Sequence, residues 1–292
     1  MPLVVRSFAK INLALAVLGP RDDGYHEIRT VYQTIDLCDT LELLPSATLE
    51  LECEGLSGLP CQDNLVWRAA RSLLDEYPGA GGARILLRKR IPMGSGMGGG
   101  SSNAAATLLG LTRLWGIDPP QARLRGIAAS LGSDVPFFLT GGTALGIGRG
   151  EEVYPLPEPS PSHVVVIYPG ERVSTAEAYC RLRCALTPED SRNKIESFCG
   201  LLQAGSGFQA GMFNDFERVI LTGCGFISEA RDFLMERGAA AALLSGSGSS
   251  VFGFFQEEES ALAASSAVKR EAWRVFPAKT LSRSGFFQRL FG

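Results

Sequence analysis

Only two histidines occur in the 292 residues, His26 and His163, and no cysteine pair stands near either at finger spacing. A zinc centre of nitrogen and sulfur ligands is therefore excluded. The seven cysteines are an odd number without framework spacing, in a chain large enough to do without disulfide staples. They read as reduced thiols of a cytoplasmic protein. Neither charge sign is in marked excess: 28 Lys and Arg stand against 31 Asp and Glu, so no electrostatic footprint for nucleic acid is expected. No export signal is expected either, because Arg6 interrupts the first apolar run. The two longest uncharged stretches, 91–112 and 238–255, are dense in Gly and Ser rather than Leu and Ile, which argues against membrane spans.

Several catalytic signatures are also absent. No Gly-Lys pair occurs, so a Walker loop is excluded. Neither His-Arg-Asp nor Asp-Phe-Gly is present, which removes a protein kinase, and no Gly-x-Ser-x-Gly elbow supports a serine hydrolase.

What remains is a chain of ordinary globular composition, 45% apolar and 20% charged, long enough for two domains. The alternating prolines of Pro155-Leu156-Pro157-Glu158-Pro159-Ser160-Pro161-Ser162 forbid regular hydrogen bonding and place the boundary there, giving units 1–157 and 158–292. Apolar runs at 8–18 and 25–37 flank a turn at 19–24 and read as paired strands, with shorter strands at 39–44 and 48–54. Asn64 caps a helix over 64–77, a strand follows at 83–90, Ser101 or Ser102 caps a helix to 114, and Asp118 starts another that stops at Gly132. Past the boundary we expect a strand at 164–168 and a helix to Ala185, opened by the capping box Ser174-Thr175-Ala176-Glu177. Helices at 191–203, 212–222, 226–237 and 257–269 and strands at 240–245 and 250–255 complete an α+β fold.

The richest motif is Pro92-Met93-Gly94-Ser95-Gly96-Met97-Gly98-Gly99-Gly100-Ser101-Ser102-Asn103, set between an apolar strand and the helix-forming Ala104-Ala105-Ala106. Five glycines within seven positions let backbone N–H groups approach an anion, and the helix start adds free donors and partial positive charge. Polyphosphate is the natural guest. A flexible linker is the ordinary alternative, but a linker would lie between domains in polar company. Gly94, Gly96 and Gly99 formally satisfy a dinucleotide fingerprint with Asp118 as its acid, yet Asp118 follows a helix where that reading needs a strand.

Lys10 lies in the apolar segment Phe8-Ala9-Lys10-Ile11-Asn12-Leu13, so its ammonium needs a carboxylate or water. Asp134, just past Gly132-Ser133, is the partner we assign and the candidate base; a plain turn aspartate is the alternative. Asn12 lies on the same strand face as Lys10, where it can orient a substrate hydroxyl or merely satisfy a neighbouring backbone group.

These segments, with Asp23-Gly24-Tyr25-His26-Glu27, Asp63-Asn64-Leu65, Gly141-Gly142-Thr143-Ala144, Asn214-Asp215-Phe216-Glu217 and Ser245-Gly246-Ser247-Gly248-Ser249-Ser250-Val251, resemble in their order the GHMP kinases. The resemblance spans most of the chain. It implies a ribosomal-S5-like N-terminal domain and a ferredoxin-like C-terminal domain, with ATP and Mg²⁺ as cofactors. Lys10 and Asp134 would be the catalytic pair and 92–103 the nucleotide loop, with Asn64 as an adenine contact. The implied acceptor is a cytidine diphosphate derivative of methylerythritol, phosphorylated on its 2-hydroxyl; a sugar, homoserine or mevalonate-type alcohol is the alternative within the family. Asn12, Gly246 and Ser247 would meet that acceptor, Tyr25 and Tyr179 would stack on the cytosine, and His26 would bond its polar edge. Magnesium would be held mostly by ATP oxygens and water, with the Ser102 hydroxyl as a candidate ligand. No nucleic acid or membrane partner is expected, and the chain would be a monomer or weak homodimer. Phe8 departs from the family pattern, which has proline there.

Overall fold

The structure, a computed structural model, describes residues 1–54, 60–171, 173–182, 188–205 and 207–292. Strand β1 (Leu3–Pro20) and strand β2 (His26–Ser46) form one long antiparallel ribbon. The separate strand expected at 39–44 is the far half of β2: no Gly or Pro breaks the run, and a bulge at Asp36 and Leu37 absorbs the register shift between the pairs Ala9–Ile35 and Phe8–Cys38. Strand β3 (Leu49–Glu54) lies parallel to β4 (Gly82–Arg88), which pairs with the far half of β2. Helix α1 (Leu65–Glu76) connects them and starts as expected, with the Asn64 side chain accepting from Val66 N–H at 2.9 Å.

Helix α2 (Gly99–Trp115) begins earlier than Ser101 or Ser102, and neither serine caps it. Its cap is Gly98, at φ +68°, whose left-handed backbone no side chain is needed to close. Helix α3 (Gln121–Leu131) follows Pro120 without a side-chain cap, so Asp118 does not start it. Strands β5 (Thr143–Ile147) and β6 (Glu152–Pro155) then form a hairpin against the near half of β2.

The second half opens with β7 (His163–Tyr168) and α4 (Thr175–Leu182). Ser174 Oγ accepts from Glu177 N–H at 3.4 Å, but the Glu177 carboxylate pairs with Arg181, so only half of the capping box forms. The helix end expected at Ala185 lies outside the described residues. After α5 (Pro188–Ala204), residues expected to open a helix at 212 instead form β8 (Phe213–Asn214), parallel to β1, and α6 starts only at Glu217 (Glu217–Gly223). Helix α7 (Gly225–Glu236), strands β9 (Ala241–Leu244) and β10 (Val251–Phe255) and helix α8 (Glu258–Ser266) fall near their expected places. Strand β11 (Arg274–Lys279) and helix α9 (Arg283–Leu290) are additions.

The two sheets run β3-β4-β2-β1-β8, with β5 paired to β2 and β6 to β5, and β11-β7-β10-β9. Period-two alternation explains how they meet. On β7, Val164 and Val166 face a core shared with Ala9, Ile11 and Leu13 of β1. Val165 and Ile167 point the other way, toward α4, α6 and α7. With β1 covered on both sides, any polar side chain on it must be satisfied by protein.

Candidate active site

Lys10 and Asn12 project from β1 opposite to Ala9 and Ile11, and both are buried. The Lys10 ammonium donates to Asn12 Oδ1 at 2.7 Å and lies 3.4 Å from Asp134 Oδ2. Asn12 in turn donates to Thr30 Oγ1 at 2.8 Å, which donates to Ala14 O. This chain of bonds fixes both the amide and the ammonium.

Asp134 stands in the turn after α3, its side chain 30% exposed against 4% for Lys10. Both line a cavity of about 700 Å³, with the carboxylate the more open end of the pair. Sequence reasoning missed a third member, Tyr32. It sits on β2 opposite Asn12, fully buried, and its hydroxyl donates to Asp134 Oδ1 at 2.9 Å. The same ring lies under the Lys10 ammonium, 5.4 Å from its centroid. Burial, and then the Asp134 charge, push the Tyr32 phenol well above its ordinary range, so it stays a neutral donor. Only cross-strand register could have revealed it, since nothing in its neighbours marks it out.

The glycine loop forms a wall shared by two cavities. Gly94, Gly96, Gly98 and Ser101 line the large one with Lys10 and Asp134. The same four residues line a second cavity of about 330 Å³, with Pro92, Met93, Ser95, Gly99, Gly100, Asn64, Leu65, Leu87 and Lys89. Side chains would obstruct this passage. A Cβ on Gly98 would lie 3.0 Å from the Phe138 ring and 3.2 Å from Lys10, and one on Gly96 would lie 2.0 Å from Ser245 O. Asn64 faces the smaller cavity while capping α1, so both of its expected roles coexist in space.

Two loop residues, Met97 and Ser102, depart from expectation, and a third, Asn103, serves twice. Met97 is fully buried and reaches the site only through its carbonyl, which accepts from Lys10 N–H at 3.0 Å. Ser102 is buried and its hydroxyl accepts from Ser7 at 2.8 Å; it turns into the protein, one residue past the helix face that Ser101 presents to both cavities. The Asn103 amide donates to Ser7 and Asp39 and accepts from Lys89, bracing the loop from behind, while the residue also lines the smaller cavity as expected. Asp39 completes that brace: it pairs with Lys89 and accepts from the backbone of Arg90 and Ile91.

Along the wall of the same large cavity, His26 and Tyr179 stack, with centroids 4.5 Å apart at 23°. Tyr25 stands apart from them, half exposed, beneath the guanidinium of Arg149. Tyr25 and Tyr179 therefore do not form one stack with each other, because α4 brings Tyr179 against His26. Burial, with a smaller push from Asp134, raises the Tyr179 phenol to about 12. Gly246 and Ser247 close the cavity from the β9–β10 turn, and Ser247 Oγ lies 2.8 Å from Thr175 Oγ1 at the start of α4. Asn214 holds that turn, donating to Leu244 O and Gly246 O.

An ammonium and a carboxylate beside a glycine-walled passage suit transfer of a phosphoryl group, which needs positioning and charge stabilisation more than covalent help. Residues 64–142 match the model of the GHMP kinases N terminal domain, and residues 200–275 that of the GHMP kinases C terminal. A 4-diphosphocytidyl-2-C-methyl-D-erythritol kinase of Solibacter usitatus is 47% identical, over 87% of this chain and 81% of its own. One from Geobacter sulfurreducens is 39% identical over 96% and 99%. The chain belongs to the 4-diphosphocytidyl-2-C-methyl-D-erythritol kinases of the GHMP family. A crystal structure of a family member superposes with a TM-score of 0.80 at 35% identity, covering 95% of this chain and 98% of that one. Homoserine kinase from Cytophaga hutchinsonii shares the fold alone, with a TM-score of 0.73 at 19% identity over 96% and 95%. The α+β architecture is thus that of a GHMP kinase, and the family uses ATP. Phe8, where the family pattern has proline, is buried 5.6 Å from Phe286 of α9, so it trades a strand-entry residue for a core contact.

Proposed function

We propose that this chain transfers the γ-phosphoryl group of ATP to the 2-hydroxyl of 4-diphosphocytidyl-2-C-methyl-D-erythritol. The observation that carries the reading is the Lys10–Asp134 pair, 3.4 Å apart, at the glycine wall between the two cavities. Adenine would enter the smaller cavity beside Asn64 and Leu65, and the triphosphate would cross the loop along backbone N–H groups at the head of α2. The acceptor would fill the larger cavity, its cytosine at Tyr25, His26 and Tyr179 and its 2-hydroxyl at Asp134.

In this arrangement Asp134 accepts the hydroxyl proton as the oxygen attacks phosphorus. Lys10 stabilises the negative charge on the attacking oxygen and the transferring group, while Asn12 holds the ammonium and Tyr32 holds the other carboxylate oxygen. Among the described residues no cluster of three His, Cys, Asp or Glu could hold a metal. A magnesium ion held chiefly by phosphate oxygens and water fits this donor set, and Ser101, which lines both cavities, replaces Ser102 as the protein ligand we assign. Magnesium would neutralise charge on the β- and γ-phosphates. We place the reaction in the cytoplasm, where its ATP is supplied; among the described residues no helix is long and apolar enough to cross a membrane.

The test is a coupled assay for ADP release, with the phosphorylated product identified by phosphorus NMR. Turnover of the cytidine diphosphate acceptor is expected, with homoserine, mevalonate and galactose inert. Turnover of one of those alcohols in its place would overturn the assignment.

A further inference from the structure

Among the described residues, the large cavity is lined by three side chains of fixed formal charge, Lys10, Asp134 and Arg149. Lys10 and Asp134 offset each other. Among the described residues, a ligand carrying a diphosphate therefore meets one cation in this cavity that is not committed to the reacting end, Arg149. It stands in the tight turn between β5 and β6, where Glu151 accepts from its backbone N–H at 2.6 Å and from its Nε at 3.0 Å. Glu151 grips one edge of the guanidinium without itself lining the cavity. Among the described residues, the two terminal amino groups have no hydrogen-bond acceptor. The guanidinium carbon lies 4.7 Å from the centroid of Tyr25. A planar cation is thus fixed beside an aromatic ring that lines the cavity, with a free pair of donors of the geometry that phosphate accepts, and its neighbour Gly150 lies against the Tyr32 hydroxyl that donates to Asp134.

We propose that Arg149 recognises the diphosphate bridge of the acceptor and sets the preference for a nucleoside diphosphate alcohol over an uncharged one. The inference rests on the function proposed above, since it needs the base to lie at Tyr25 and the hydroxyl at Asp134. In the acceptor's covalent order the diphosphate comes between base and alcohol, and the Arg149 turn joins the two ends, with its guanidinium at Tyr25 and Gly150 at the Tyr32 hydroxyl that holds Asp134.

Calorimetric titration with CDP and with cytidine, ADP saturating the glycine-loop site, tests this in the wild type, Arg149→Gln and Arg149→Lys. Wild type should bind CDP more tightly than cytidine. Arg149→Gln should weaken CDP roughly ten- to a hundredfold, the scale of a lost hydrogen bond to a charged group, while cytidine affinity stays within about twofold. Arg149→Lys should recover part of the difference, and the acceptor KM should rise in parallel with the CDP constant while the ATP KM does not. If Arg149→Gln keeps the wild-type ratio of CDP to cytidine affinity, or weakens both ligands equally, Arg149 only clasps the turn and the proposal fails with the kinase assignment intact. If the wild type binds neither ligand, the cytidine reading of the cavity fails and the proposal goes with it.

Discussion

Asp134 is held by two donors of different kinds, a buried ammonium at Oδ2 and a neutral phenol at Oδ1. The Asp134→Asn side chain nearly matches the shape but neither accepts a proton nor balances Lys10. Turnover should fall by at least about a hundredfold, the usual scale of a lost general base, with ATP affinity retained by titration calorimetry. Unchanged turnover would dispose of the base role. Tyr32→Phe asks a finer question, because the ring and its contact with Lys10 remain while one hydrogen bond is removed. A net loss of about 1 kcal/mol translates to kcat lower by roughly three- to tenfold, with KM for ATP unaltered. Were kcat to match the wild type, Tyr32 would be packing alone.

The element that carries most function is the glycine loop, and it is welded to a second turn. Ser245 Oγ donates to Gly96 O at 3.0 Å, and Ser250 N–H donates to Ser95 O at 3.1 Å. At Gly96, φ is +78° and an added Cβ would fall 2.0 Å from the Ser245 carbonyl, an atom of backbone that cannot yield cheaply. Gly96→Ala should therefore weaken ATP and acceptor binding together, since the two turns must part. Gly100→Ala is the control: it lies within α2, its nearest neighbour would be Leu65 Cδ1 at 3.5 Å, and alanine should stabilise the helix by up to about 1 kcal/mol. Equal thermal shifts from the two substitutions would contradict this account. Glu217, at the start of α6, offers a pH test. Burial lifts its carboxyl above the usual range, opposed by the Leu244 N–H it accepts and by the Arg231 charge. A carboxyl raised in the folded state contributes its stability below the unfolded pKa and loses it as pH rises through the folded one, so at neutral pH the ionised group is a net cost. Glu217→Gln keeps an acceptor for Leu244 and removes the charge. Its thermal midpoint should exceed the wild type's at pH 7, and the gain should shrink toward pH 4; a gain constant with pH would refute the burial argument. What could be read in advance at this scale were features written in contiguous residues: the loop, the Asn64 cap, Lys10 in its apolar strand. Tyr32 and Arg149 stayed hidden because a cross-strand register and a turn bring them to the site. Strand β11 was masked by Pro277, which an edge strand tolerates and a central one does not, and β11 does pair only with β7.

The proline-rich segment suggested two units that part at 157, yet the apolar residues do not divide there. Ala9, Ile11 and Leu13 share one core with Val164, Val166, Phe252 and Phe254, so the strand that bears Lys10 is covered by the second half. Strand β8 extends the first sheet from the second half, pairing Phe213 and Asn214 with Ala14 and Leu15. The chain end then returns: Leu281 N–H donates to Thr34 O, Gln33 donates to Leu281 O, and Phe286 and Leu290 of α9 complete the core of the first half. Separating the halves would expose apolar surface on both faces of β1 and empty the place of Phe286, and losing one fully buried aromatic side chain alone costs about 3–5 kcal/mol. That is a large share of the stability of an ordinary domain. Calorimetry on the whole chain should accordingly show one transition, with van't Hoff and calorimetric enthalpies equal, and residues 1–157 expressed alone should show no cooperative melt. Should that fragment instead unfold cooperatively as a soluble monomer, the shared core would be dispensable, and the geometry holding Lys10 to Asp134 would have to be a property of the first half by itself.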